Sequence, residues 1–313
     1  MNPLIAAMLM ALAPAAPAAP AAAPSDPGCT TASAAAVPLF VGVVSQTVTV
    51  ICPAAAGATR TRAYIVRVDL DAPGLTFEAS GGARDNLKLE LPTDFLERTG
   101  SQVAFNANLF VDCCSYTTPR PPKPATTSLC GLEISGGKIL SQWTHKPKAC
   151  HGYPFRWSLV VRNGKPSIVQ APTVLPGAET AVTGSHELLF FGRNMAPPDG
   201  QDEFFGPNAR TVVGLSRPGN RLWVAAVTRE TSQGLTLRQA AQMLAQLGAA
   251  NAINLDGGGS TALAVDSGGG KAALLNVPSD SSSNCKFPVK AGCERFVGAS
   301  FGIHAKPLAP ANR

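Results

Sequence analysis

The stretch "NAINLDGGGSTALAV", Asn251 to Val265, carries an apolar strand pattern into an aspartate, then three glycines, then a second apolar run. Adjacent glycines lose much backbone entropy on folding, so a tight turn or a close approach must offset that loss. Upstream, "GLTLRQAAQMLAQLG" (234–248) reads as a helix, with Thr236 and Gln239 spaced as a capping box. Leu237, Ala240, Ala241, Leu244 and Leu247 form its apolar face, and Gly248 ends it. In "NAINLD" the apolar Ile253 and Leu255 alternate with Asn254 and Asp256. On a strand this puts Asn254 and Asp256 on one face, about 7 Å apart. Gly257, Gly258 and Gly259 then fall at the strand end, where backbone N–H groups in a tight turn form an anion-binding nest. Ser260 and Thr261 add hydroxyls beside it. A carboxylate next to an anion cradle suits a substrate with a phosphate and a separate reacting centre.

Other glycine motifs fit less well. GxxxxGK[ST] is absent, and the run after the glycines is a strand rather than the helix of a dinucleotide fingerprint. A calcium loop needs several alternating oxygen ligands, and only Asp256 is present. An ordinary glycine-rich turn between strands is the plain alternative.

Outward from this stretch, strand patterns dominate. "TVTVIC" (47–52), "RAYIVRVDL" (62–70), "LTFEA" (75–79), "QVAFNANLF" (102–110), "HELLFFG" (186–192) and "RFVGASFGIHA" (295–305) read as strands. "WSLVVRNGKPSIV" (157–169) reads as a hairpin turning at Asn163-Gly164. "RTVVGLS" (210–216) and "RLWVAAVT" (221–228) flank the turn signal "RPGN". "PTDFLERT" (92–99) is a short helix expected to be capped by Thr93 or Asp94. Residues 111–130, rich in cysteine and proline, form a long irregular segment. The expected fold is a single mixed α+β domain over residues 28–306, strand-rich, with a few helices packed on the sheet. A seven-residue tail (307–313) follows.

Residues 1–27 differ in kind: an apolar run too short to span a bilayer, then an Ala/Pro-rich linker. This reads as a signal peptide and a secreted or periplasmic destination, although the leader lacks an early Lys or Arg. No later run reaches membrane-spanning length, so no integral membrane association is expected. Eight cysteines without a CxxC pair argue for disulfides rather than a zinc finger. Cys29–Cys52 and Cys285–Cys293 are the expected pairs, with Cys113 and Cys114 bonding to Cys130 and Cys150. A metal site of these cysteines with His145 or His151 is the rival reading. The net charge of +6 is scattered, so nucleic acid is not an expected partner, while an anionic small ligand or envelope polymer is.

Several motifs together resemble the phosphodiester glycosidase family. "NLDGGGSTALAV" looks like its signature, "VAFNANLF" like its strand ending in Asn-x-x-Phe, and "NARTVVGLS" like its Arg-Thr-x-x-Gly element. The helix-then-strand approach to the glycines matches too, over roughly residues 60 to 305. Ala107-Asn108 replaces the family's Gly-Gly, and Ala209 replaces a proline. The resemblance implies cleavage of a sugar-1-phosphodiester at the anomeric C–O bond, with a phosphorylated glycan or envelope polymer as substrate. An oxocarbenium-like transition state needs a carboxylate, and Asp256 is the candidate, as nucleophile, base or electrostatic stabiliser. Arg210 is the candidate for the phosphate, since a guanidinium grips phosphate oxygens bidentately. Asn106, Asn108, Thr211, Asn254, Gly257, Gly258, Gly259 and Ser260 are the substrate-binding candidates. Glu187, Asp112 and Glu203 are lesser candidates for a second carboxylate, and His151 and His186 for a general acid. No cofactor is expected, and a divalent metal is left open. A non-catalytic module for phosphorylated envelope glycans and a phosphodiesterase attacking phosphorus are the alternatives.

Overall fold

Every residue of the strand Arg210–Leu215 is buried. A strand without an exposed face must be covered on both sides. A computed structural model shows how. It describes residues 28–309 except 56, 84–85, 112–125, 143–149, 151–154, 171–174, 201, 203, 280–288 and 291–292. Val213 and its neighbour Ile253 enter a core shared with Phe105, Phe301, Leu159 and Val182 from two other sheets. Val212 and Ala252, one residue out of phase, pack under α2 (Leu237–Gln246) against Ala240 and Leu244.

That strand lies within a nine-stranded sheet. Its main path runs Thr30–Ser33, Val43–Ala54, Gly57–Asp69, Arg221–Val227, Arg210–Leu215, Asn251–Asn254, His186–Phe190 and Arg193–Asn194. A six-stranded sheet is built around Leu263–Asp266, Val103–Asn106 and Ser300–His304. A five-stranded sheet holds Lys138–Ser141, Glu133–Ser135, Thr180–Gly184, Trp157–Arg162 and Lys165–Gln170. Every strand pairing among the described residues is antiparallel. The molecule is therefore mostly β, a stricter description than the expected α+β mixture. Its two α-helices among the described residues each lie against a sheet, α1 (Pro92–Thr99) against the six-stranded one and α2 against the nine-stranded one.

The α2 capping box forms as read: the Thr236 hydroxyl accepts from Gln239 N, and the Gln239 side chain accepts from Thr236 N. The α1 cap does not. Its N-cap is Leu91, because Pro92 takes the first helical position, where a missing N–H costs nothing. The buried carboxylate of Glu294 caps the helix instead, accepting from both the backbone N–H and the hydroxyl of Thr93. A negative charge there also complements the helix dipole. Both predicted hairpins form, with Asn163 and Gly164 at φ +49° and +68°.

Cys29 is bonded to Cys52 as expected. Cys130 and Cys150, however, bond each other, so neither pairs with Cys113 or Cys114. Cys293 is disulfide-bonded; its expected partner Cys285, together with Cys113, Cys114, His145 and the leader, lies outside the described residues.

One buried group breaks the apolar pattern. Glu133 sits in the five-stranded sheet at a register shift, fully buried, with no hydrogen-bond partner for either carboxyl oxygen among the described residues. Burial alone drives its pKa well above the ordinary carboxylate value. The folded protein therefore keeps a proton that the unfolded chain releases, and stability falls as pH rises past the unfolded value of 4.5. Urea unfolding at about pH 5 and about pH 8 should show this loss in the wild type and little of it in Glu133→Gln.

Candidate active site

The strand Asn251–Asn254 stops where the aspartate motif begins. Leu255 N still donates to Thr211 O in the nine-stranded sheet (2.9 Å), but Asp256 N donates to Ala107 O beside the six-stranded sheet (2.9 Å). The chain thus changes sheets between Leu255 and Asp256. The regular strand ends there, and the segment that carries Asp256 leaves the nine-stranded sheet.

The glycines make this corner sterically feasible. A Cβ on Gly257 would lie 2.8 Å from Ala209 O and 3.5 Å from the Arg210 Cα. Gly258 has φ +57° and opens a single 3₁₀ turn, Gly258–Ser260. The Gly257 N–H turns back to Asp256 Oδ1 (3.0 Å), and the Gly258 N–H donates to Ala209 O (2.8 Å). Two of the three glycine donors are therefore engaged within the chain. The triplet is a close-packed corner rather than an open nest of three donors. Asp256, Gly257 and Gly258 are half-buried and reach the surface, whereas Gly259 and Ser260 are buried.

Asn106 and Asn108 are fully buried. The Asn106 Oδ1 accepts from Thr211 Oγ1 (2.6 Å) and Ala262 N (3.1 Å), and its Nδ2 donates to Asp256 O (2.6 Å). Asn108 Nδ2 donates to Cys130 O and Leu132 O, and its Oδ1 accepts from Thr183 N (2.9 Å). Neither amide presents surface to a sugar hydroxyl, and Thr211, also buried, is spent on Asn106. Asn106 and Thr211 hold the corner in place, and Asn108 ties the neighbouring turn to the five-stranded sheet.

Arg210 starts its strand almost completely buried. Nε donates to Leu235 O (3.1 Å) and Nη2 to Gly206 O (2.6 Å), which fixes the guanidinium plane. Among the described residues Nη1 makes no hydrogen bond, and no carboxylate stands in ion-pair contact with the group. Burial lowers the Arg210 pKa to about 10, opposed by Asp202 and Asp199, so it remains cationic near neutrality. His186 lies nearby, its ring edge-on to Phe205 at 5.5 Å. Burial, then the charge of Arg210, lowers its pKa to about 4. In the ligand-free protein the ring is therefore neutral near pH 7. His186 faces Asn254 in the sheet register. Asn254 Nδ2 donates to Ser185 Oγ (3.0 Å) and Leu255 O (2.8 Å), while its buried Oδ1 has no partner among the described residues.

Glu187 pairs in register with Ile253, one position from His186, and burial raises its pKa. Asp112, Glu203 and His151 lie outside the described residues. Sequence reasoning missed Arg295, whose Nη1 reaches Ser260 Oγ at 3.5 Å, and Asn208, whose Nδ2 would be 4.0 Å from a Cβ on Gly258. No periodicity marks either one, since each arrives from a loop. Among the described residues no three His, Cys, Asp or Glu side chains gather as a metal site, and no helix is long and apolar enough to cross a membrane.

The fold recurs in solved structures. The catalytic domain of zebrafish N-acetylglucosamine-1-phosphodiester alpha-N-acetylglucosaminidase, auto-inhibited by its pro-peptide, is 20% identical with a TM-score of 0.58, covering 89% of each chain. A Burkholderia pseudomallei protein classed as exported is 13% identical with a TM-score of 0.58, covering 89% of this chain and 97% of its own. A hypothetical protein from Synechocystis is 16% identical with a TM-score of 0.52, covering 85% of this chain and 62% of its own. No curated protein matches the sequence. The family model for phosphodiester glycosidases matches residues 100–303, a span that contains Asn106, Arg210, Asp256 and the glycine corner, and the chain belongs to that family.

Proposed function

We propose that the protein hydrolyses a sugar-1-phosphodiester at the sugar C1–O bond, releasing the free sugar and a phosphomonoester. One observation carries this reading: a buried, oriented arginine with no ion pair in contact among the described residues, whose backbone packs against the corner bearing Asp256. Asp202 and Asp199 act on this cation only from a distance, so part of its burial cost remains, and an anionic ligand in contact reduces it. In this reading Arg210 Nη1 binds a phosphate oxygen and stabilises the charge that the departing phosphate gathers. Asp256 faces the anomeric carbon, as nucleophile or as the base that activates water. Water supplies the new oxygen on C1, the C1–O bond breaks, and its electron pair leaves with the phosphate. Asn106, Asn108 and Thr211 act by positioning Asp256 and its corner. Export through a cleaved leader, with an envelope or secreted phosphoglycan as substrate, fits the two disulfides described.

Hydrolysis of a sugar-1-phosphodiester in ¹⁸O-labelled water tests the bond cleaved. Label in the sugar is expected; label in the phosphate would assign attack at phosphorus, and binding without products would leave a recognition module. Asp256→Asn should abolish turnover while circular dichroism and melting temperature stay close to wild type.

Arg210→Lys should lower kcat by on the order of 10²-fold, because an ammonium cannot hold two carbonyls and also present an in-plane donor. Steady-state kinetics on the same substrate measures it.

His186 has a testable linkage of its own. Its folded pKa lies below the ordinary histidine value of 6.5, so the unfolded chain takes up the proton first. Stability contributed by the neutral ring is present above about pH 6.5 and lost as pH falls toward about 4. Chemical denaturation across this range should give a shallower acid loss for His186→Gln than for the wild type.

A further inference from the structure

The hairpin joining His186–Phe190 to Arg193–Asn194 turns on Phe191-Gly192, with φ +48° and +81°. The chain builds the same kind of turn at Asn163-Gly164, φ +49° and +68°. Asparagine tolerates the left-handed region, and a bulky aromatic residue there is an outlier. Asn163 and Phe191 are the only non-glycine residues with positive φ among the described residues. The strain at Phe191 does not serve the core, since its side chain is 59% exposed.

Phe191 is also not isolated. Phe190 is 47% exposed and stacks edge-on to it at 4.6 Å, and Met195 is 47% exposed. Three of the five large exposed hydrophobic side chains among the described residues thus belong to one hairpin. Arginines stand next to them. Arg193 stands opposite Phe190, Arg217 lies 5.9 Å from the Phe191 ring, and the Arg238 carbonyl accepts from Asn194. All three arginines are exposed, and none has an ion pair among the described residues. The segments 188–198, 211–222 and 235–251 contain no Asp or Glu, and Asp69, opposite Arg221, belongs to the next strand over.

We propose that this tip docks the protein peripherally on an anionic phospholipid bilayer. Phe190, Phe191 and Met195 enter the interface between headgroups and acyl chains, and Arg193, Arg217 and Arg238 meet the lipid phosphates. Aromatic and aliphatic side chains ringed by arginine are the chemistry of interfacial binding. A bare cationic patch would satisfy a soluble polyanion, but it would not require strained phenyl rings in water. The tip lies at the far end of its strand from His186, about 13 Å away at strand rise, so it can be altered without touching the candidate active site.

Co-sedimentation of the full chain with vesicles is the test. Binding is expected to phosphatidylcholine vesicles containing phosphatidylglycerol, to fall with added salt, and to be weak to phosphatidylcholine alone. Phe191→Asn restores the favoured turn residue. It should keep or raise the melting temperature and leave hydrolysis of a small soluble substrate unchanged, while cutting vesicle affinity about tenfold or more. A folded Phe191→Asn protein that binds vesicles as the wild type does would overturn the proposal. So would a wild type that ignores anionic vesicles, whether it instead retains an anionic polysaccharide or forms a dimer that Phe191→Asn dissociates.

Discussion

The Asn106 side chain is the joint on which the candidate site depends. It takes a hydroxyl from Thr211 in the nine-stranded sheet and an N–H from Ala262 at the edge of the six-stranded sheet. It gives an N–H to the carbonyl of Asp256 between them. These are the two sheets whose inner faces make the main core, so any slip between them would move Asp256. Two residues on, Asn108 makes the matching connection to the five-stranded sheet through Leu132 O and Thr183 N. A sheet-to-sheet core is held by non-directional apolar contact, which sets spacing better than register. The two buried amides supply the direction. In a fully desolvated setting each of their bonds is costly to break, because the orphaned partner has no water to turn to.

The same corner explains why the chain spends three glycines after an aspartate. Ala209 O receives the Gly258 N–H, and Gly257 passes so close to that carbonyl that a side chain would collide with it. The residue after Ala209 is Arg210. Packing the aspartate corner against Ala209 is therefore what brings the carboxylate segment beside the start of the arginine strand. Geometry of this kind is preorganised: Arg210 is already clamped by Leu235 O and Gly206 O before any ligand arrives. An anion entering such a site meets a fixed donor and little reorganisation cost.

Local chemistry was legible in the sequence. The α2 capping box, the Asn163-Gly164 hairpin, the Arg210–Val227 hairpin and the Cys29–Cys52 bond each depend on residues close in the chain. What failed depended on distant partners. The change of sheets after Leu255 went unread because Ala107, beside another sheet, captures the Asp256 N–H. The cap on α1 failed because Glu294 comes from the other end of the chain. Asn106 and Asn108 look like ligand-facing amides in a linear reading, since nothing local shows that both will be fully enclosed. The family resemblance singled out segments that packing brings together, yet only packing tells a surface-reaching residue from one enclosed behind it.

Three departures from ordinary patterning remain, and each has a different resolution. Glu133 is buried without a partner, and a carboxyl can escape that penalty by keeping its proton. Arg210 cannot take the same route: even shifted to about 10, the guanidinium stays charged at neutral pH. Its remaining means of neutralisation is a counter-ion, and among the described residues no carboxylate provides one in contact. Phe191 carries strain of another sort, in the backbone and in plain view of solvent. A violation that can relax within the chain is a stability matter. One that can relax only through something outside it points to a ligand or a surface. On that criterion Glu133 belongs to the fold, whereas the Arg210 charge and the Phe191 strain are what motivate the proposed anion and the proposed membrane contact.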